Sequence, residues 1–378
     1  MKIYLDANAT TGISAAARAA MYAALDEGPH NPSSSHQAGS RARQLLERAR
    51  QEISGALGGV DSENVFFTSG GTEANNLVIR GFDSLAGVRI CCTAVEHASV
   101  MGPVADSCPT VLPVRADGVL DLPRAIEAVT DCAAATLVCV QAANSETGIV
   151  QPLQEIVPAL RGIGDHVYVM TDAAQAFGRV PIDLDGIDVL TFSGHKLHAP
   201  AGTGFLYLSD HMLEALPLVL KGGGQEGGVR PGTQNVAGAC GLAAAVKERM
   251  ESFQDHAARL CALRNRLEDV ILQAVPGARI VGKDAVRVPN TANVMFPGLD
   301  GQALLARLDE AGVYCSTGSA CSSARPEASP VLKAMGMSER EASSCLRFSV
   351  SLDNTPEEMD AAAAIVGRCV ERGLRISQ

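Results

Sequence analysis

The hydrophobic and polar positions divide the chain into two regions of different character. In the first region, short apolar runs alternate with stretches of helical periodicity, such as 72–82 and 152–163. Six apolar runs are predicted to be strands: 65–69, 88–95, 136–141, 166–171, 188–192 and 204–208. Because these runs are hydrophobic almost throughout and do not alternate, they indicate parallel strands that helices cover on both faces. The pattern therefore predicts an α/β layer architecture.

The second region begins near residue 237 with a long, alanine-rich helical stretch that ends close to Val275. Shorter segments follow, with strands predicted over 291–296, 313–316 and 346–350 and a helix over 301–312. This mixture of elements is typical of an α+β unit.

The final helix is predicted to begin at Pro356, with Thr355 as its N-cap and Glu358 completing a capping box. A chain of 378 residues is longer than one hydrophobic core usually supports. We therefore expect two domains, a large one over 14–253 and a smaller one made of 1–13 and 254–378.

Charge and composition narrow the range of partners. A formal net charge of -11 and a pI near 5.2 oppose binding to nucleic acid or to an anionic membrane surface. Asp6 interrupts the N-terminal segment before the apolar core of a signal peptide could form, and no later run approaches the roughly 20 apolar residues of a membrane span. We expect a cytoplasmic protein with no nucleic-acid and no membrane partner.

The chain has eleven cysteines, an odd number, and no two are spaced as C-x-x-C. This pattern favours reduced thiols, most of them packed in the core, over a disulfide framework or a zinc site. No metal site is predicted.

Polar residues follow four of the predicted strands, at the edge where the carboxyl ends of parallel strands meet and ligands bind. In chain order they are Gly70, Gly71 and Thr72, then Glu96 and His97, then Asp172 and Gln175, then Ser193, His195 and Lys196. The glycine turn leads into a predicted helix, whose free N–H groups suit a phosphate. One sheet edge is therefore expected to collect an anion cradle, a histidine, a carboxylate and an amine.

Each of these residues alone has an ordinary explanation, since a lysine after a strand is usually solvated and an aspartate there usually caps a helix. Together they match the needs of pyridoxal 5'-phosphate (PLP). The cofactor needs an amine for its aldehyde, a carboxylate for its ring nitrogen, and a helix dipole with hydroxyls for its phosphate. Lys196, Asp172 and the turn at Thr72 would supply these groups in that order.

Ten short motifs resemble, in order, those of the NifS/IscS-type cysteine desulfurases: YLDANATT, NPSSSH, TSGGTEANN, EHASV, TDAAQAFGRVPID, SGHKLHAP, GGGQE, RPGTQN, GSACSS and LRFS. The resemblance covers nearly the whole chain. It implies PLP-dependent transferase fold type I, in the class V aminotransferase superfamily. That fold has a mainly parallel seven-stranded sheet covered by helices and a smaller α+β C-terminal domain. SGHKLHAP is more similar to the nitrogen-fixation NifS subgroup than to the housekeeping one.

The resemblance assigns cofactor roles to several of the residues at the sheet edge. It implies that Lys196 forms a Schiff base with PLP, Asp172 pairs with the ring nitrogen, and His97 stacks on the ring and assists proton transfer. It also implies that Gln175 hydrogen-bonds the ring hydroxyl. The residues implied to hold the phosphate are Gly71, Thr72, Ser193 and His195, together with Thr233 from the other subunit. A homodimer is therefore implied.

The resemblance also implies how substrate is bound and where its sulfur goes. Arg347 and Asn144 would hold the carboxylate of L-cysteine, and the arginine fork suits a carboxylate better than a lysine does. Cys321 would accept the sulfur as a persulfide, leaving L-alanine, and pass it to an iron–sulfur scaffold or another acceptor protein. The segment around it, STGSACSSARPEASP (316–330), is rich in small residues and is predicted to be a mobile surface loop.

Two kinds of alternative function stay open. A selenocysteine lyase or a class V aminotransferase would share the cofactor site, but an aminotransferase would not need Cys321. A nucleotide-binding or scaffolding protein would use the glycine turns for another phosphate, yet the chain lacks G-x-x-x-x-G-K-[ST] and has no G-x-G-x-x-G after a strand. Gly227 stands where many relatives of the resembled family carry arginine, which concerns the dimer contact.

Overall fold

The strands form one large and two small sheets in a computed structural model that describes residues 2–28, 30–107, 109–131, 135–318 and 328–376. In chain order the strands are β1 (Ile3–Tyr4), β2 (Val65–Thr68), β3 (Arg89–Thr93), β4 (Thr110–Leu112), β5 (Thr136–Cys139), β6 (Val167–Asp172), β7 (Val189–Ser193), β8 (Gly204–Leu208), β9 (Arg279–Ile280), β10 (Thr291–Met295), β11 (Val313–Tyr314) and β12 (Cys345–Ser349).

The large sheet has seven strands in the order β2-β8-β7-β6-β5-β3-β4. Strand β8 runs antiparallel to both of its neighbours, and the other adjacent pairs are parallel. This confirms the predicted α/β fold with a mainly parallel sheet. All six strands predicted from apolar runs are present. Strand β4 gave no such signal because it has only three residues at the sheet edge, where Val111 is exposed.

The helices are, in chain order, α1 (Ala15–Asp26), α2 (Gln37–Ala56), α3 (Gly71–Asp83), α4 (Ala98–Ala105), α5 (Leu122–Thr130), α6 (Leu153–Arg161), α7 (Asp210–Ala215), α8 (Val236–Glu251), α9 (Phe253–Ala274), α10 (Gly301–Glu310), α11 (Pro330–Ala334), α12 (Glu339–Ala342) and α13 (Pro356–Ile376). Across the described ranges, none of them has the length and apolar character required to cross a bilayer.

Helices cover the large sheet on both faces, as β7 illustrates. Leu190 and Phe192 pack in one core with residues of α2 and α8, whereas Val189, one position away, packs in another core with residues of α3. Successive side chains of a strand point to opposite faces, so a strand buried on both sides is apolar throughout. The continuous hydrophobic runs of the sequence have this origin.

The long helical stretch predicted from residue 237 is two helices, α8 and α9. Ser252 separates them with a non-helical backbone (φ -118°, ψ 28°). The two helices bury their faces against different partners, because α8 packs on α1 and α2 while α9 packs on α13. A change of partner between two apolar faces leaves no mark on helical periodicity, so the sequence pattern did not show the break.

The C-terminal part is built on an antiparallel sheet with the order β12-β10-β9 and a core shared by α9, α10 and α13. Ile3 and Leu5 are buried in this core, and β1 pairs in parallel with β11. The capping box of α13 forms as predicted. Thr355 Oγ1 accepts the Glu358 N–H at 3.3 Å, and the Glu358 carboxylate accepts the Thr355 N–H at 3.1 Å.

Candidate active site

Lys196 lies in a short turn (Gly194–Lys196) that begins directly after β7, at the carboxyl edge of the sheet. Its Nζ donates hydrogen bonds to the main-chain oxygens of Asn8 and Ala9, at 2.6 and 2.8 Å. Thr11 adds a further contact between the N-terminal segment and this turn, because its N–H and its hydroxyl both donate to the His195 carbonyl oxygen. The N-terminal segment therefore lines the site around the lysine amine.

Asp172 ends β6, next to β7, and the residue is 8% exposed. One oxygen accepts from Asn75 Nδ2 at 3.0 Å and the other from the Ala174 N–H at 2.9 Å. Asn75 lies on α3 and is fully buried; it also donates to Ser99 Oγ and accepts from the Thr191 hydroxyl. These bonds hold the carboxylate in one orientation at the carboxyl edge of the sheet.

His97 is the N-cap of α4, and its Nδ1 accepts the Ser99 N–H at 3.1 Å. Because Nδ1 acts as an acceptor, a neutral ring carries its proton on Nε2. Ser99 Oγ lies 2.8 Å from the same Nδ1 and joins the histidine through Asn75 to Asp172. The predicted histidine and carboxylate therefore belong to one hydrogen-bonded chain.

Two of the residues predicted to hold a phosphate, Gly71 and Ser193, meet where α3 begins. The Gly71 N–H donates to Ser193 Oγ at 2.7 Å, although the two residues are 122 positions apart. Strand β8 makes this contact possible, because it lies between β2 and β7 and pairs Gly204 with both Thr68 and Ser193. A Cβ on Gly204 would collide with the Phe192 carbonyl oxygen and lie 2.7 Å from the Gly70 Cα.

The other predicted phosphate ligands differ in exposure. Thr72 and Thr233 are exposed on the single chain, and in the described ranges no hydrogen bond joins Thr233 to the other predicted site residues. His195 is half-buried, with Nδ1 3.2 Å from Thr10 Oγ1. Burial and the neighbouring Lys196 charge lower the pKa of His195 to about 4, so its imidazole is neutral at pH 7. His195 can therefore act as a hydrogen-bonding group but not as a cation.

Arg347 lies on β12 and is buried. Its Nη2 donates to Asp6 Oδ1 at 2.6 Å and its Nη1 to the Ser145 carbonyl oxygen at 3.1 Å. Its Nε has no partner in the part of the chain that the structure describes. Asn144 is also buried, and its Oδ1 accepts the N–H groups of Glu146 and Thr147. Asn144 therefore shapes the turn whose Ser145 carbonyl contacts Arg347.

Cys321 lies outside the described residues, but the residues that flank its segment meet at one buried carboxylate. The Ser329 hydroxyl donates to Glu146 Oε2 at 2.5 Å. On the other side, Gly318 is so close that a Cβ there would lie 2.9 Å from the same oxygen. Burial raises the pKa of Glu146. Since Glu146 is two residues from Asn144, both ends of the segment lie beside the turn that contacts Arg347.

Several residues of the site were given no role by the sequence analysis. Asn8, Asn75 and Ser99 lie inside the quoted motifs. The motifs therefore indicated that these residues are near the site, but not that they contact Lys196, Asp172 and His97. Glu96 Oε1 accepts the Thr93 hydroxyl and the Gln141 N–H, both at 2.7 Å. Burial, aided by the Asp172 charge, raises the pKa of Glu96 to about 8.

Most of the described cysteines are packed in the interior. Five of the eight described cysteines are buried, and none of the eight forms a disulfide. In the described ranges, no group of three or more histidine, cysteine or acidic residues could hold a metal ion.

The fold and this site define a known class of enzyme. The profile of the Aminotransferase class-V family matches residues 3–362, so the chain belongs to that family of PLP-dependent enzymes. The cysteine desulfurase NifS of Azotobacter vinelandii is 39% identical over 95% of this chain and 90% of its own length.

Two solved structures extend the comparison. The NifS-like protein of Rickettsia africae superimposes with a TM-score of 0.89 at 31% identity, over 98% of this chain and 100% of that one. SspA in complex with cysteine superimposes with a TM-score of 0.79 at 30% identity, over 93% of this chain and 99% of that one.

The residues of the site fit PLP chemically. The edge offers a primary amine at Lys196, a buried carboxylate at Asp172, and a helix N-terminus at Gly71 beside the Ser193 hydroxyl. A side chain at Gly71 would crowd this cradle, because its Cβ would lie 3.1 Å from Ser193 Oγ. The donor set therefore matches the cofactor's aldehyde, ring nitrogen and phosphate.

Proposed function

We propose that this chain is a PLP-dependent cysteine desulfurase, which converts L-cysteine to L-alanine and transfers the sulfur to Cys321. The observation that carries the proposal is the convergence of Lys196, the buried Asp172 and the Gly71–Ser193 cradle at one sheet edge of a class V family member. A relative named cysteine desulfurase at 39% identity and a similar structure that contains cysteine support the choice of substrate.

When bound, PLP supplies a reactive aldehyde and a ring that withdraws electrons from the substrate's Cα. Asp172 would hold a proton on the ring nitrogen, because a buried carboxylate favours a positive charge beside it. Asn75 and the Ala174 N–H hold the two carboxylate oxygens in place, so their direction is set in advance. Little reorganisation is then needed during the reaction.

Lys196 supplies the amine and moves the proton of the substrate's Cα. Its Nζ would take up that proton as an ammonium ion, which the carbonyl oxygens of Asn8 and Ala9 can hold at 2.6 and 2.8 Å. His97 presents Nε2–H on the opposite side of its ring from Ser99. It can exchange a proton with the substrate or with an attacking thiol.

Arg347 binds the substrate carboxylate. Asp6 and the Ser145 carbonyl fix its guanidinium, and the buried Nε, with no partner in the described chain, is a donor that a carboxylate would satisfy. Asn144 contributes by shaping the turn that carries Ser145.

Cys321 accepts the sulfur. Its thiolate attacks the substrate sulfur, so a sulfur–sulfur bond forms as the carbon–sulfur bond of cysteine breaks. One thiol and one L-cysteine then give one persulfide and one L-alanine, and no external oxidant is required. The ends of the Cys321 segment meet at Glu146, beside the turn that contacts Arg347, which supports delivery of the thiol to this site.

Measurement of L-alanine and sulfide released from L-cysteine under reductant tests the function. Equal amounts are expected from the wild type, and both products should be lost in Lys196→Ala and Cys321→Ala. Cys261→Ala changes a partly buried cysteine of α9 and should keep full activity. Full turnover in Cys321→Ala with loss in Lys196→Ala would instead identify a class V aminotransferase or another PLP enzyme.

The working enzyme is further proposed to be a cytoplasmic homodimer that hands its sulfur to an iron–sulfur scaffold or another acceptor protein. The exposed Thr233 supports the dimer, since it would complete the phosphate site of the other subunit. Coexpression of Thr233→Ala with Lys196→Ala should restore activity that neither variant has alone, because one complete site forms in the mixed dimer. No restoration in purified mixed dimers would contradict the shared site.

A further inference from the structure

Arg179 is a buried guanidinium that no carboxylate neutralises within the described ranges. It is 5% exposed, and its hydrogen bonds all end on neutral carbonyl oxygens, those of Asn8, Gln175 and Lys196. Burial and the charges of Arg249 and Arg347 lower the pKa of Arg179 to about 9, so the group is still charged at pH 7. Burying a cation without a counter-ion is unfavourable, which points to a role in the site.

The contacts of Arg179 determine how Gln175 is oriented. Nη1 of Arg179 donates to the side-chain oxygen of Gln175 and, at 3.2 Å, to its main-chain oxygen. A guanidinium has only donors, so the amide oxygen of Gln175 must face it and the amide NH₂ must face away. Nε2 of Gln175 accordingly lies 3.1 Å from the Asn8 carbonyl oxygen.

The same carbonyl oxygen of Asn8 accepts Lys196 Nζ at 2.6 Å, so the amide of Gln175 and the amine of Lys196 lie at one place in the site. Nη2 of Arg179 also donates to the Lys196 main-chain oxygen at 3.0 Å. One planar fork therefore contacts both Gln175, on the turn after β6, and Lys196, on the turn after β7. A lysine could not span both contacts in this way.

We propose that Arg179 is a positioning residue that fixes the amide of Gln175 and the backbone of Lys196, so that Gln175 presents N–H donors, and not its oxygen, to the ring oxygen of the cofactor. The inference rests on the proposed function, because it takes PLP to be the ligand. It assigns a role to a residue that has no place in the reaction itself.

The consequence is measurable in the visible spectrum of the bound cofactor, apart from any turnover. The link between PLP and Lys196 loses a proton at a characteristic pH, seen as a change of its absorbance band. N–H donors and a positive charge near the ring oxygen stabilise its anionic form and lower that pH. Loss of the correctly oriented donor should raise the midpoint by about one to two pH units.

The experiment titrates the absorbance band of the holoenzyme for wild type, Arg179→Met, Arg179→Lys, Gln175→Leu and the Arg179→Met/Gln175→Leu double variant. Relative to wild type, the midpoint is expected to be higher in Arg179→Met and in Gln175→Leu, and to rise less in Arg179→Lys. In the Gln175→Leu background, Arg179→Met should lose at least half of its effect, because Arg179 acts through Gln175. Arg264→Met, which removes a buried arginine of α9 whose guanidinium donates to the Val288 carbonyl oxygen, is the matched control and should keep the wild-type midpoint.

Three results would overturn the inference: an unchanged midpoint in whichever Arg179 variant folds with cofactor bound, an undiminished effect of Arg179→Met in the Gln175→Leu background, or an equal shift in Arg264→Met. A wild type that binds no PLP and shows no band sensitive to borohydride would overturn the proposed function itself. The two failures are therefore distinguishable from the same set of spectra.

Discussion

Replacement of Asn75 by leucine isolates the contribution of one buried amide to the cofactor site. The change keeps the size of the side chain but removes its hydrogen bonds to Asp172, Ser99 and Thr191. The bond to the ionised Asp172 contributes about 1.5–3 kcal/mol, and each bond to a hydroxyl about 0.5–1.5 kcal/mol. The loss in folding stability is therefore expected to be about 2.5–6 kcal/mol.

The free energy of the Asn75–Asp172 hydrogen bond should also be lost from cofactor binding, because in Asn75→Leu the Asp172 carboxylate is not oriented before PLP binds. A loss of about 1.5–3 kcal/mol corresponds to PLP affinity about 10-fold to 150-fold weaker. Titration of the apoenzyme with PLP, followed by absorbance, measures this ratio. Urea denaturation of the apoenzyme measures the loss of stability.

Asn76→Leu is the matched control for this prediction. Asn76 is the next residue of α3, and its Nδ2 donates to the Thr72 carbonyl of its own helix at 2.9 Å, away from Asp172. Its replacement should change stability by about 0.5 kcal/mol or less and leave PLP affinity unchanged. If both leucine variants weaken PLP binding to the same degree, the assigned role of Asn75 is wrong.

Three further predictions concern pH, a buried ion pair and a close approach. Glu96 has a pKa raised to about 8 in the folded chain, above its unfolded value near 4.3. The wild type should therefore lose stability as the pH rises from about 4 to about 8, whereas Glu96→Gln should not, and urea midpoints across that range measure the difference. Arg50 pairs bidentately with the buried Glu226 at 2.9 and 3.0 Å, and Arg50→Met should lower the free energy of unfolding by about 3–5 kcal/mol. Gly204→Ala should abolish PLP binding, as absorbance would show, since its Cβ collides with neighbouring backbone.

Each of these predictions has its own control. A parallel pH dependence in wild type and Glu96→Gln would show that Glu96 does not titrate in this range. The Arg50→Met/Glu226→Gln double variant should be more stable than Arg50→Met, because no buried charge is then left unpaired. Gly55→Ala lies on α2 with open space around its Cβ and should be neutral or slightly stabilising. Normal PLP binding by Gly204→Ala would contradict the close approach.

The sequence was most informative where burial and chemistry repeat along the chain. Continuous apolar runs marked six of the seven strands of the large sheet, and the residues after them marked Asp172 and Lys196. It was least informative at β4, which is three residues long, and at Ser252, where one apolar helical pattern is divided between two packing partners. Neither feature changes the hydrophobic periodicity, which is the signal that sequence analysis depends on.

By itself, the sequence determined the α/β class, the edge of the sheet where chemistry collects, and the kinds of groups gathered there. These follow from local burial and from the rule that parallel strands end on one side. Only the tertiary structure decided how the groups meet: Gly71 with Ser193 through the antiparallel β8, Lys196 with the carbonyl of Asn8, and Arg179 with the carbonyl of Lys196. The physical reason is that hydrogen-bond partners are set by distance and direction in space, and residues up to 188 positions apart carry no mark of each other in a single sequence.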